Sequence, residues 1–126
     1  MITNLLPNEI FVFGSNLVGN HLGGAAKQAL QWGAVMGRGE GLFGQTYAFP
    51  TLDEDLKKLS IGGLRASKIM LYTCCKDHPD LTFLLTPVGT GIAGFSHEYM
   101  KSLFTNCPDN LVLPPEWVTK TNEPKN

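Results

Sequence analysis

Charge is scarce in this chain of 126 residues and neither sign dominates: 17% of the residues are Asp, Glu, Lys or Arg, ten basic against eleven acidic, for a net charge of -1. A surface without cationic excess has little to neutralise a phosphate backbone or an anionic bilayer, so neither nucleic acid nor a membrane is expected as a main partner. Long hydrophobic runs are also missing, none approaching the ~20 residues of a spanning helix. The opening stretch, Met1 to Pro7, has neither the basic start nor the apolar centre of a signal peptide, and a cytoplasmic protein is the expectation. Cysteines number three: Cys74 and Cys75 are adjacent and Cys107 stands apart, which suits neither a disulfide framework nor a CxxC pair and predicts reduced core thiols. Walker A, HExxH and GxSxG patterns are absent, and His21, His78 and His97 are too scattered for a metal site, so neither metal nor cofactor is expected.

What the chain has is apolar surface and glycine. Hydrophobic residues make up 43%, enough for one core, and the length suits a single domain over residues 1–126, with a polar, frayed tail at 119–126. Nine of the fourteen glycines fall between Gly14 and Gly44, a span whose only charged residues are Lys27, Arg38 and Glu40. Glycine weakens helices and strands, so such a cluster points either to tight turns or to backbone that approaches a ligand closely. For the cluster as a whole, a binding site is favoured.

Strands and helices alternate along the chain. Glu9 to Phe13 (EIFVF) reads as a buried strand stopped by Gly14, and Gly24 to Trp32 as a helix that Gly33 ends. Gln45 to Phe49 reads as a second strand closed by Pro50. Thr51-Leu52-Asp53-Glu54 then spells a capping box, which predicts a helix start with Asp53, Glu54 and Asp55 in its first turn. From Ser60 to Lys76 the residues Ile61, Leu64, Leu71 and Cys74 form an apolar face opposite Arg65, Lys68, Tyr72 and Lys76. Leu81 to Val88 is a central parallel strand by its unbroken apolar run, Ser96 caps a further helix, and Leu111 to Leu113 supplies a last short strand. This order predicts an α/β domain, helices on both faces of a largely parallel sheet, with ligands beyond the carboxyl ends of the strands.

Two loops after strands stand out. Gly89 to Gly94 (GTGIAG) fits G-x-G-x-x-G between a strand and a helix, whereas Gly39 to Gly44 (GEGLFG) precedes a strand and is read as a chance match. A dinucleotide fold would place the pattern at its first strand with more chain to follow, so the surviving reading is a loop cradling a phosphate or pyrophosphate. In the first loop, Asn16 can direct a donor and an acceptor at a sugar diol, or serve as a turn residue. Phe95 can cover a ribose or base face, or edge the core. His21 is the one histidine in a functional position, His78 is read as structural at a helix end, and His97 as an exposed first-turn residue.

Together these loops, Phe13-Gly14-Ser15-Asn16 with Gly23-Gly24 and Pro87-Val88-Gly89-Thr90-Gly91-Ile92-Ala93-Gly94-Phe95, resemble the two ligand loops of macrodomains. The resemblance runs from about Glu9 to Phe104 and is specific at the loops. It implies a three-layer α/β/α domain with a mixed, largely parallel central sheet that binds ADP-ribose. Asn16 takes the place of the asparagine that contacts the distal ribose, with Gly14, Ser15, Gly23 and Gly24 around it. Backbone N–H groups of Gly89, Thr90, Gly91, Ile92, Ala93 and Gly94 would wrap the diphosphate, with Phe95 closing the loop. The chain departs from the family where Phe13 replaces the first asparagine of the motif, and where no Gly-Asp element precedes the first strand to bind adenine. The branch that hydrolyses terminal ADP-ribose uses a lysine and an aspartate, but here Ala93 stands in the aspartate's place and Lys27 is off register. The expectation is therefore a binder of ADP-ribose or a related nucleotide diphosphate sugar. One alternative is a hydrolase acting on ADP-ribose or its derivatives, with Asn16 positioning the ribose and His21 acting near a water. Another is a protein interaction module that binds no nucleotide.

Overall fold

The computed structural model describes residues 2–118, and the expected frayed tail at 119–126 lies outside the described residues. Its strands are β1 (Glu9–Asn16), β2 (Gly41–Phe43), β3 (Thr46–Leu52), β4 (Thr82–Leu85) and β5 (Leu111–Val112); its helices are α1 (Gly24–Ala29), α2 (Ile61–Asp77), α3 (His97–Leu103) and α4 (Pro115–Val118). The strands form one mixed sheet in the order β2-β3-β1-β4-β5. All pairings are parallel except β2 with β3. The α/β expectation with a largely parallel sheet therefore holds.

β1 is the centre because both of its faces are apolar. Ile10 and Val12 join Leu64, Leu71 and Cys75 of α2, Met100 and Leu103 of α3, and Trp117 of α4. Phe11 and Phe13, pointing the other way by the two-residue alternation of a strand, pack with Ala26 and Ala29 of α1 and with Trp32. That is why EIFVF shows no polar interruption. α1 ends in a short 3-10 turn, Leu30–Trp32, closed by Gly33 at φ 115° as its position in the sequence predicts.

Several expectations are corrected. The run Thr51-Leu52-Asp53-Glu54 starts no helix. Thr51 and Leu52 are the last residues of β3, and the Thr51 hydroxyl, buried, donates to the Ser15 carbonyl at 3.3 Å. The Asp53 carboxylate accepts from the N–H groups of Asp55 (2.8 Å) and Lys57 (2.9 Å), closing a tight turn in which Leu56 adopts φ 62°. Pro50 does not stop β3 either: β2 pairs only as far as Ala48, so the missing N–H of Pro50 falls where no strand waits for it. The GEGLFG run contains a strand, since Gly41–Phe43 is β2.

α2 begins one residue after Ser60, whose hydroxyl accepts from the Gly63 N–H at 3.1 Å. Its buried face is Leu64, Ser67, Leu71 and Cys75. Ile61, 41% exposed, and Cys74, half-buried, are not its centre. Ser96 caps α3 as expected, accepting from the Tyr99 N–H at 3.0 Å. His97, exposed as predicted, has a partner: its Nδ1 accepts from the Trp117 indole at 3.0 Å. No helix among the described residues is long and apolar enough to cross a membrane.

Candidate functional site

The topology decides where a ligand can enter. β1 and β4 are parallel neighbours, but the chain leaves β1 toward α1 on one face and leaves β4 toward α3 on the other. Loops that diverge from adjacent strands leave a crevice beyond the carboxyl ends. That crevice is a cleft of about 910 Å³, walled by three segments: the loop after β1, the loop after β4, and the end of β3 with the turn that follows it.

The loop after β1 is a frame held by its own polar groups. The Asn16 amide donates to the Asn20 carbonyl (3.1 Å) and accepts from the Asn20 N–H (3.0 Å). The Ser15 hydroxyl donates to the Gly39 carbonyl, and a Cβ on Gly39 would overlap the Asn16 carbonyl, so glycine is required there by close approach of backbone. His21 is 0% exposed; its Nε2 lies 3.0 Å from the Arg38 carbonyl and its ring meets Phe13 edge-on at 5.2 Å. Its buried Nδ1 has no hydrogen-bond partner among the described residues. Residues 36–39 thus support the loop from behind. Gly14, Ser15, Asn16, Gly23 and Gly24 all line the cleft. His21 does not: it is part of the support and not of the wall.

The loop after β4 is anchored at its start, where the Thr86 N–H and hydroxyl both donate to the Val12 carbonyl, at 3.1 and 2.8 Å. Inside the loop, the N–H groups of Thr90, Gly94 and Phe95 donate to Pro87, Gly91 and Gly89. Those of Gly91, Ile92 and Ala93 have no partner among the described residues. Peptide N–H groups left unpaired in a turn are available to an anion. Gly89, Thr90, Gly91, Ile92 and Ala93 line the cleft, whereas Gly94 and Phe95 stand just behind it.

Lys58 is the residue that sequence reasoning misses. It lies in the wall, and its ammonium donates to the Gly94 carbonyl at 3.2 Å while sitting 5.0 Å from the centroid of the Phe95 ring. Phe95 in turn stacks on Tyr99 at 5.5 Å. Lys58 is the one charged side chain of the wall among the described residues. Its contact with Gly94 joins residues 36 positions apart, a separation at which no local pattern signals the pairing.

Among the described residues the wall holds no carboxylate, imidazole or thiol, and no group of three or more His, Cys, Asp or Glu is placed to hold a metal ion. The shifted titrations lie in the core. Burial pushes the Cys75 thiol up to about 12 and raises Cys74 and the phenols of Tyr47 and Tyr72, the last also through its hydrogen bond with Cys107. Chemically, the wall offers peptide N–H groups, one ammonium and a few hydroxyls, a set for binding an anion that carries hydroxyl groups. No protein-family model, curated protein or solved structure matches the chain.

Proposed function

We propose that the protein binds ADP-ribose or a related nucleotide diphosphate sugar in this cleft, in the manner of a macrodomain. The observation that carries the reading is the run of N–H groups at Gly91, Ile92 and Ala93, unpaired among the described residues, in a cleft wall that also includes Lys58, which together suit a diphosphate. A volume of about 910 Å³ is large enough for a nucleotide sugar. Helix α1 on one side of the sheet and α2, α3 and α4 on the other support the three-layer α/β/α reading that the macrodomain resemblance implies. Asn16 contributes mainly by shaping the first loop, because both ends of its amide already engage Asn20. A reader of the ligand is favoured over a hydrolase, since a general base needs to reach the reacting group and His21 instead meets the Arg38 carbonyl beneath the loop.

Calorimetric titration with ADP-ribose tests this, with ADP and ribose 5-phosphate as part-ligands. Micromolar binding of ADP-ribose, with weaker binding of each part, is the expected outcome; an absence of heat at millimolar ligand would overturn it. Incubation with ADP-ribosylated protein should release free ADP-ribose no faster than a control without protein. One observation favours a second reading, a protein interaction module: Leu22, Leu56 and Ile92 on the cleft rim are 70%, 52% and 88% exposed. On that reading ADP-ribose gives no heat at millimolar concentration, and substituting all three by Ser abolishes partner binding.

A further inference from the structure

A second depression lies between α2 and α3, outside the cleft. Arg65 and Lys68 are three residues apart on α2, and Tyr99 and Ser102 are three apart on α3, spacings that put each pair on one face of its helix. The two faces meet across a groove of about 230 Å³, lined also by Ile61, Leu103 and Thr105. Its lining contains two cationic groups and no carboxylate, in a chain whose overall charge is slightly negative. The walls are tied together rather than merely adjacent: the Tyr72 hydroxyl of α2 donates to the Thr105 carbonyl at 2.8 Å, and the Lys68 ammonium rests 5.6 Å from the Tyr72 ring centroid. The Ser102 hydroxyl already donates to the Tyr99 carbonyl, so the groove donors with no hydrogen-bond partner among the described residues are the guanidinium, the ammonium and the hydroxyls of Tyr99 and Thr105.

We infer that this groove is a second ligand site, for a phosphate monoester dianion. Two positive charges match the charge of the dianion, and the planar fork of Arg65 grips two of its oxygens while Lys68 acts as a point charge. The volume is smaller than that of a site for a whole nucleotide, so the ligand is a phosphate with at most a sugar attached. This site is independent of the cleft reading, though Tyr99 stacks on Phe95, the ring beneath Lys58.

The test is an NMR titration of isotopically labelled protein with inorganic phosphate and, separately, ribose 5-phosphate, at ionic strength held constant with sodium chloride. Saturable shifts at the amides of Arg65, Lys68, Tyr99 and Ser102 are expected. The double variant Arg65→Ala, Lys68→Ala should weaken them at least about tenfold, and both side chains are on the surface, so its spectrum should otherwise match the wild type. The two probes distinguish a bare anion from a sugar phosphate, and saturation of the groove by either supports the site. A cleft variant, Gly91→Val, should leave the groove response unchanged. Shifts confined to Gly91, Ile92 and Ala93, shifts that never saturate, or a response that survives in the double variant would each overturn the inference.

Discussion

Gly91→Val separates the fold from the site. A Cβ built at Gly91 meets no protein atom within 4 Å, and the backbone there is not in the left-handed region. A side chain at this position therefore costs the folded state little, and the loss of glycine's freedom in the unfolded chain works in the opposite direction, so stability should change by no more than about 0.5 kcal/mol. The effect on an anion is different. If the unpaired N–H groups of residues 91–93 hold a diphosphate, each charge-assisted bond contributes roughly 1.5–3 kcal/mol. A β-branched side chain beside the Gly91 N–H should remove at least one of them and lower affinity by about 10- to 100-fold. Gly89→Ala gives the contrast: with φ at 79° and Met100 and Phe95 within 3.1–3.2 Å of the new Cβ, it should depress the melting temperature outright. Calorimetry with ADP-ribose and thermal melting by circular dichroism read the two quantities. Wild-type affinity in a folded Gly91→Val protein would mean that the loop is only a turn and that the anion reading is wrong.

Other perturbations follow from the same contacts. Asn16→Ala removes both bonds to the Asn20 backbone, so it should lower stability by about 1–2 kcal/mol as well as weaken ligand binding, measurable in one series of melts and titrations. Lys58→Met keeps an apolar stem over Phe95 but removes the wall's charge; affinity for ADP-ribose should fall several-fold and lose much of its salt dependence, whereas Lys58→Arg should retain both. The Cys75 thiol, raised by burial from 9.0 to about 12, is favoured in its neutral form by the fold, so its contribution is fully present below 9.0 and is lost as pH rises toward about 12. Melting temperature should fall across that range, and less steeply in Cys75→Val, with Tyr47 and Cys74 shifted in the same direction.

The sequence shows the sheet's centre because Ile10, Phe11, Val12 and Phe13 are all buried, and a strand covered on both faces needs an unbroken apolar run. It shows the starts of α2 and α3 because Ser60 and Ser96 do locally what capping residues do. Thr51 misleads for a reason of the same kind: its hydroxyl satisfies the Ser15 carbonyl across the sheet, so a tertiary partner overrides a local motif that only the first turn of a helix would have used. β2 is hidden because three half-buried residues within a glycine-rich run carry no alternation to read. Lys58 is hidden because the contacts that place it, Gly94 and Phe95, come from another loop. Gly14, Gly23, Gly24, Gly89 and Gly91 are legible as residues gathered at one cleft; that Asn16 and His21 would be used internally is not, since nothing local distinguishes a side chain facing the cleft from one facing the loop's own backbone.

That difference bears on what the cleft can do. In the loop after β1 and the strand end beside it, the polar side chains of Ser15, Asn16, His21 and Thr51 each hold backbone of this chain. In the loop after β4 the groups left open are peptide N–H groups, which no substitution except proline removes. On the proposed reading, recognition built in this way would read charge and shape: an anion of the right span would satisfy the N–H groups of Gly91, Ile92 and Ala93 whatever side chain stands at position 92, where Ile92 is 88% exposed. Peptide N–H groups stabilise an anion without taking or giving protons near neutral pH, and an ammonium already donating to Gly94 is a poor general base. A wall of this composition suits retention of a diphosphate more than bond cleavage. Turnover would therefore require an acid or base brought to the cleft by the substrate itself, and in that case rates should follow the titration of the substrate's own groups and be indifferent to His21→Gln in any variant that keeps its fold.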